Sequence, residues 1–478
     1  MAAFSFFWHD YETFGRNPRR DRPAQFAGIR TDADLNEVDA PVVRYCRPTG
    51  DWLPEPEACL LTGITPQACL ERGVPEPAFA AEIERCLGAA GTVGVGYNSL
   101  RFDDEVTRHL FWRNLIDPYA REWRNECSRW DLLDVVRCAR ALRPGGMQWP
   151  LDDDGRATFR LDKLTAANGL AHESAHDALS DVRATLALAR RVRQGQPRLW
   201  DFCLRLRHKD AVWAEIGVGA PRPFLHVSGR YPAERGCLAV VWPLGPHPNH
   251  RNELIVWDLA ADPDQLLVLD AAAVRERLFV RPDDLPEGVE RLPIKTIHVN
   301  RSPIVIGNLK TLAPAQAERW GVDMPLALRH AARAARLPDL RSRWAEVFAR
   351  PAAAQPTDVD EDLYGGFIGP ADRRTLERLR SQPPARWDLA RMHFEDARLD
   401  ELCFRYRARH APESLTSEER SRWDEHRRAR LHEGKGGATT LQAFFARIDA
   451  LAQSADERGE EILGALYEYA ESIVPPAH

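Results

Sequence analysis

The run Phe4-Ser-Phe-Phe-Trp8 is almost wholly apolar and passes directly into His9-Asp10-Tyr11-Glu12-Thr13-Phe14-Gly15. A short apolar run of this kind predicts a buried strand. Side chains at i and i+2 of a strand share a face, so Asp10 and Glu12 leave the strand on the same side. Two like charges held together raise each other's pKa and cost free energy unless a cation sits between them. Further strands are predicted over Gln25–Arg30 and Val42–Cys46, joined across the turn-rich Thr31-Asp-Ala-Asp-Leu-Asn36. Phe79–Leu87 has helical spacing, and Thr92–Tyr97 reads as a strand interrupted by glycine. Helical periodicity returns over Phe102–Arg113, Leu132–Leu142, Leu161–Asn168 and His176–Arg193. A three-strand meander followed by alternating helices and strands predicts a mixed α/β domain.

The pattern changes after Gly195-Gln-Pro197. Phe224–Val227, Leu238–Trp242, Leu254–Leu259 and Ile294–Val299 are short and rich in β-branched and aromatic residues, with one helix near Ala271–Leu278. They predict a small barrel or sandwich. Helices resume over Ala313–Arg350, and residues 351–360 have the composition of a linker. From Asp362 to Val474 the chain is helical and rich in arginine and glutamate, with a loop expected at Gly434-Lys-Gly-Gly437. The expected division is therefore 1–197, 198–350, a linker at 351–361, and an all-α region at 362–478. No internal repeat is evident.

Composition narrows the class without naming a function. A chain of 478 residues is too long for one core. Its 44% hydrophobic and 28% charged content is ordinary for a soluble protein. No stretch of uninterrupted apolar residues reaches membrane-spanning length, and the N-terminus lacks the pattern of a signal peptide. Nine cysteines are scattered singly with no Cys-x-x-Cys spacing, which argues against a disulfide framework or a zinc site and favours a reducing cytoplasm. A net charge of −6 does not advertise nucleic-acid binding. Any such surface must be local, with metals carrying part of the attraction.

Three constellations carry candidate chemistry. Asp10 and Glu12 form the first, although an Asp-x-Glu-Thr sequence also arises by chance at a solvated strand end. The second is Gly96-Tyr-Asn-Ser-Leu-Arg-Phe-Asp-Asp104, which places Asp103 in the first turn of a helix. A simple cap explains that carboxylate equally well. The third runs from Asn168 to Asp181. Five residues advance a helix by about 500°, so His176 and Asp181 converge only if His176 lies at or before the helix start. Leu179, Val182, Leu186 and Leu188 make that helix largely core-facing, and a carboxylate on a buried flank needs a partner.

The joint order Asp-x-Glu, Asp, His-x4-Asp in an α/β domain resembles the DEDDh 3′→5′ exonucleases. Further stretches resemble the bacterial exodeoxyribonuclease I family within them. These are Asp-Arg-Pro-Ala-Gln-Phe (21–26), Leu-Thr-Gly-Ile-Thr-Pro-Gln (61–67), Arg-Phe-Asp-Asp-Glu-Val-Thr-Arg (101–108), Ser-Arg-Trp-Asp-Leu-Leu-Asp (128–134), His-Val-Ser-Gly (226–229) and Phe-Arg-Tyr-Arg-Ala-Arg (404–409). The resemblance implies an RNase H-like exonuclease domain, a small SH3-like β domain and an all-α C-terminal domain. It implies catalytic roles for Asp10, Glu12, Asp103, His176 and Asp181. Asp10, Glu12 and Asp181 would hold two Mg²⁺ ions, with Mn²⁺ as a substitute, and His176 would be the general base. Hard oxygen ligands suit Mg²⁺, and a histidine of ordinary pKa accepts a proton near neutrality.

The same resemblance implies contacts of Glu12, Thr13, Phe14 and Arg160 with the terminal nucleotide. Arg108, Tyr119, Trp123 and Arg137 form a basic and aromatic set of the kind that single strands favour, although Tyr119 and Trp123 could equally be core. Lys209, Asn252, Lys295 and Asn300 would contact the strand from the β domain, which in this family encircles it together with the helical domain. Asn300 could instead cap a turn. The arginine-rich C-terminal helices could line that groove or form a solvated ion-paired face. The implied partners are single-stranded DNA and the acidic C-terminal tail of single-stranded DNA-binding protein. The implied setting is a cytoplasmic monomer in DNA repair and recombination. Three alternatives stay open: an exoribonuclease or proofreading subunit, a strand-binding scaffold with a vestigial nuclease, and a metal-dependent phosphomonoesterase.

Overall fold

The computed structural model describes residues 4–172, 176–217, 219–349 and 357–475. Most of the expected linker, 351–356, lies outside them, as does Glu-Ser-Ala 173–175. The chain forms two compact units that do not follow its linear order. The first comprises Met1–Ser128, Glu173–Arg183 and Gln355–His478, and the second Arg129–His172 and Ala184–Ala354.

In the first unit the apolar run becomes β1 (Ser5–Thr13), whose flanks are both covered. β2 (Pro23–Thr31) pairs antiparallel with β1, and β3 (Val42–Tyr45) antiparallel with β2. β4 (Thr92–Gly96) runs parallel to β1, giving the order β3-β2-β1-β4 and realising the expected meander. Gly28 is needed because any Cβ there would lie 2.4 Å from the Phe7 ring. Pairing of β1 with β4 ends at Trp8 and Val95. Asp10 and Glu12 therefore project beyond the carboxyl end of their parallel neighbour, where ligand crevices form in sheets of this kind. Two helices of the first unit, Pro56–Thr62 and Pro66–Arg72, are absent from the sequence reading, as are Pro197–Arg205 and Lys209–Ile216 in the second. Each of the first two opens on a proline in its first turn, the position that tolerates a missing N–H.

The C-terminal segment shares its core with the N-terminal one. Phe14, Trp52, Cys59 and Cys69 pack with Leu441, Phe444, Ile448, Leu463, Leu466 and Tyr469. Trp112 and Leu115 likewise pack with Leu376, Leu379, Trp387, Leu399 and Leu402. The arginines of the Phe404–Arg409 stretch serve neither of the purposes expected for the C-terminal helices. On the helix Arg398–His410, Arg405 and Arg407 are buried, and the Arg409 side chain is only 4% exposed. Arg409 lies 2.8 Å from Asp51 and 2.5 Å from Asp360, Arg405 lies 2.8 Å from Asp358, and Arg22 reaches Asp360 at 3.3 Å. Arg407 pairs with Glu419, which also closes a capping box with Thr416. Buried charges persist only when paired, so this cluster latches the C-terminal helices onto the N-terminal domain.

The second unit begins within β5 (Ser128–Asp131), which leads into the helix Leu132–Leu142, capped by the Asp131 side chain. Its antiparallel sheet comprises β6 (Phe224–Val227), β7 (Leu238–Pro246), β8 (Glu253–Asp258), β9 (Ile294–His298) and β10 (Ile304–Ile306), in the order β10-β6-β7-β8-β9. β10 was not read from the sequence because three residues carry too little pattern. β7 outruns its expected end through a bulge between Pro243 and Gly245, where Gly245 adopts φ 139°.

The latch yields a stability expectation. Removing one partner of a buried ion cluster strands the rest, at about 3–5 kcal/mol, so Asp360→Ala is expected to lower stability by that amount in denaturant unfolding. The neighbouring arginines hold the Asp51 and Asp360 carboxyls well below the usual range. A depressed folded pKa stabilises above the unfolded pKa and is lost as pH falls through the folded one. The gap between wild type and Asp360→Ala should therefore narrow as pH falls below about 4; a gap independent of pH would refute the ion-pair account.

Candidate active site

The site is assembled at the end of β1. Asp10 lies opposite Ala27 and Glu12 opposite Gln25 on β2, with Glu12 8% exposed. His9 and Tyr11 point to the other face, where the Tyr11 ring packs tilted against Phe26 at 4.9 Å and its hydroxyl shares a 2.9 Å hydrogen bond with Thr107. These contacts fix the strand's rotation and so the direction of both carboxylates.

The second contribution comes from the turn after β4. A Cβ on Gly96 would sit 2.9 Å from the His9 carbonyl, so glycine allows the turn to press against β1. Asn98 takes a left-handed φ of 67°, and the helix Asp103–Arg113 begins directly beneath the strand. Asp103 is buried, and its Oδ1 accepts the Tyr11 backbone N–H at 3.2 Å. It is thus more than the helix cap the sequence allowed. Asp104 faces elsewhere and pairs with buried Arg121 at 2.5 Å.

The third contribution satisfies the geometric condition set by the His176–Asp181 spacing. The helix expected from His176 begins at Ala178 and runs to Gly195. His176 stands in the preceding turn with φ 67°, while Asp181 projects from the first turn. Their ligand atoms and one carboxylate oxygen of Glu12 all lie within 4.8 Å of one another. No other such group of three or more occurs among the described residues.

The electrostatics show what this arrangement costs. Burial, then the charges of Asp103, Glu12 and Asp181, hold the Asp10 carboxyl well above its ordinary range. Burial and the charges of Asp181, Asp103 and Asp177 push Glu12 up to about 8. Four acidic side chains from three segments oppose one another's ionisation, and their oxygens are hard donors. That set fits Mg²⁺ or Mn²⁺ better than a softer ion.

The remaining expected contacts divide sharply. Thr13 is buried and its hydroxyl donates to the Gly15 carbonyl at 2.6 Å. Phe14 is a correction: it is 1% exposed and packs against Trp52, so its ring offers no surface to a nucleotide. Arg108 is another. Its guanidinium lies 2.7 Å from Glu122 and 2.8 Å from Glu105, and two buried carboxylates occupy the charge meant for phosphate. Tyr119 is half-buried beside Arg108 and Phe367, whereas Trp123 is 63% exposed.

In the second unit Arg137 pairs with Asp134 at 2.7 Å and covers the Phe159 ring. Arg160 is exposed, with both arms on Asp162 at 3.1 Å. The Lys209 ammonium donates to Asn252 Oδ1 at 2.7 Å. Lys295 donates to His226 Nε2 at 2.7 Å, and Asn300 is exposed in a turn.

Residues 7–189 match the family described as Exonuclease, residues 207–350 the Exonuclease I SH3-like domain, and residues 357–473 the Exonuclease I C-terminal domain. A curated exodeoxyribonuclease I from Haemophilus influenzae is 43% identical over 473 residues, covering 98% of both chains. The chain belongs to the exodeoxyribonuclease I family. A solved structure of a moderately thermophilic exonuclease I from Methylocaldum szegediense is 49% identical with a TM-score of 0.93, covering 98% of this chain and all of that one. Escherichia coli exonuclease I in complex with a dA16 oligonucleotide is 42% identical with a TM-score of 0.94, at the same coverage. That enzyme is also known in a zinc-ion-bound form with single-stranded DNA. The expected fold classes, an exonuclease domain followed by an SH3-like and a C-terminal domain, therefore stand, and the chain is an exonuclease.

Carboxylate repulsion gives this site a pH signature. Glu12 has a raised folded pKa, so its contribution to stability is present below the unfolded value near 4.5 and lost as pH rises through about 8. Without divalent cations, Glu12→Gln should be neutral at pH 5 and raise Tm by roughly 1–3 °C at pH 8.5, for about 1 kcal/mol of relieved repulsion. Millimolar Mg²⁺ should raise the wild-type Tm more at pH 8.5 than at pH 5. An equal Mg²⁺ shift in Glu12→Gln would count against this site.

Proposed function

We propose that the chain hydrolyses single-stranded DNA from its 3′ end in a divalent-cation-dependent reaction, releasing 5′-mononucleotides. The observation that carries the reading is the convergence of Glu12, His176 and Asp181, with Asp10 and Asp103 at the same strand end. Asp10, Glu12 and Asp181 would hold two Mg²⁺ ions, Mn²⁺ substituting, with Asp103 supporting one of them. Two such ions supply stabilisation of charge on both the attacking and the leaving oxygen of an in-line displacement.

The chain's own residues account for the rest. His176, poised in its turn beside Glu12, takes the proton from the attacking water at a ring nitrogen. The water oxygen forms the new bond to phosphorus, the bond from phosphorus to the 3′-oxygen of the preceding nucleotide breaks, and that oxygen is protonated to a new 3′ end. Thr13, at the edge of the carboxylates, and Arg160 meet the terminal nucleotide. Trp123 offers a face on which a base stacks without sequence preference. Arg137, Lys209, Asn252, Lys295 and Asn300 are the polar groups that follow the strand.

The relatives' complexes with DNA support this substrate. They favour it over RNA and over a phosphomonoester, and the match to exonucleases favours it over a scaffold without activity. Family membership also supports a cytoplasmic monomer in DNA repair and recombination, with the acidic tail of single-stranded DNA-binding protein as partner. No helix among the described residues is long and apolar enough to cross a membrane.

Substitution separates the roles. Asp10→Ala and Asp181→Ala are expected to reduce Mg²⁺-dependent mononucleotide release at least 10³-fold. His176→Ala should lower kcat about 10²-fold, within the range of general-base loss, without weakening binding of a single-stranded oligonucleotide. Normal turnover in Asp10→Ala would refute the assignment.

A further inference from the structure

The stretch Asp-Arg-Pro-Ala-Gln-Phe (21–26) contains one polar side chain in the interior of an otherwise apolar strand. Gln25 is 1% exposed, and a buried carboxamide is retained only where its donors and acceptor are used. Its position is specific. On the sheet Gln25 stands directly between Glu12 on β1 and Tyr45 on β3, so all three share one rung and one face.

Each polar atom of Gln25 has a partner, and two of the three partners lie at the start of the helix that carries Asp181. Gln25 Oε1 accepts the backbone N–H of Ala178 at 3.1 Å. Gln25 Nε2 donates to Asp177 Oδ2 at 3.4 Å and to the Tyr45 hydroxyl at 3.0 Å. Asp177 is itself committed, since its Oδ1 accepts the Ser180 N–H at 3.0 Å. A first-turn N–H that a helix leaves unpaired is thus satisfied from the sheet, and the capping carboxylate is held from the same point. The residue immediately before this clamp is His176, in a left-handed conformation that is strained for a non-glycine residue and persists only when its surroundings enforce it.

The geometry points to Gln25 as a positioning residue: by fixing Asp177 and Ala178 to the sheet, it sets the turn that aims His176 at Glu12 and Asp181. This rests on the proposed catalytic role of His176. The role assigned to Gln25 runs through that turn, by its bonds to Asp177, Ala178 and Tyr45. Without it, the Ala178 N–H and Asp177 carboxylate lose their anchor, and the turn relaxes toward commoner backbone angles. Misplacement by about 1 Å of a catalytic group costs up to about 10²-fold in rate, and the loss should appear in kcat.

The test is a double-mutant comparison on a single-stranded oligonucleotide in saturating Mg²⁺, with thermal unfolding of each variant measured alongside. Gln25→Leu preserves volume and removes both polar atoms. It is expected to lower kcat at least 10-fold with KM changed less than twofold, and to change the rate less than twofold in a His176→Ala background, because residues acting as one unit are non-additive. Equal losses in both backgrounds, or full kcat in Gln25→Leu, would overturn the positioning role while leaving the catalytic reading intact. Normal turnover in His176→Ala alone would overturn both. Should Gln25→Leu fail to fold, Tyr45→Phe makes the same comparison through one hydrogen bond. Its expected two- to fivefold loss of kcat should vanish in the His176→Ala background, and a loss that persists there would refute the proposal.

Discussion

Mutual repulsion among Asp10, Glu12, Asp103 and Asp181 is the constraint to which the first unit answers. Carboxylates do not gather in a half-buried crevice without help, and burial together with one another's charge keeps the Asp10 and Glu12 protons on. The fold compensates in two ways. It builds the strand end rigidly, with Tyr11 tied to Phe26 and Thr107 behind it. It also leaves a cluster of hard oxygen donors that a divalent cation relieves. A charge arrangement unfavourable for the empty protein becomes favourable for a loaded one, and stability given up at such a centre commonly marks function.

The large C-terminal segment has a structural part in holding that strand end. Its helices complete the core around Phe14 and Trp52. Arg405 and Arg409, with Arg22 from the Asp21–Phe26 stretch, bury their charges against Asp358, Asp360 and Asp51. The Phe14 N–H, one residue beyond Thr13, bonds the Arg22 carbonyl at 2.9 Å, so the latch and the strand end are neighbours in one bonded network. The arginines of the Phe404–Arg409 stretch are thus an internal device, whereas Arg391, Arg422 and Arg447 form exposed ion pairs.

Much of this was legible in advance, and the reasons differ by element. Asp10 and Glu12 were readable because a strand's two-residue period fixes a shared face. His176 and Asp181 were readable because five residues of helix cannot align them, which forced the helix to begin between them, as it does at Ala178. Arg108 and Phe14 misled because residue type reports chemistry but not direction: one faces Glu122 and Glu105, the other Trp52. Gln25 was passed over because a single glutamine in an apolar strand has no periodic signature, and its meaning appears only when three segments meet. The helices opening at Pro56 and Pro66 were missed because each is framed by a proline at its start and a glycine just past its end, a composition that reads as loop.

In the proposed reaction these carboxylates and His176 remove nucleotides one at a time from the 3′ end of a single strand. It is tested most directly by a time course on oligonucleotides labelled at either end, single-stranded and duplex, with Mg²⁺ and with chelator. The account requires 3′ label to appear at once as mononucleotide from single strands only, 5′ label to persist in a shortening ladder, and both to be unchanged in chelator. Mononucleotide released first from the 5′ end, or undiminished release in chelator, would contradict it.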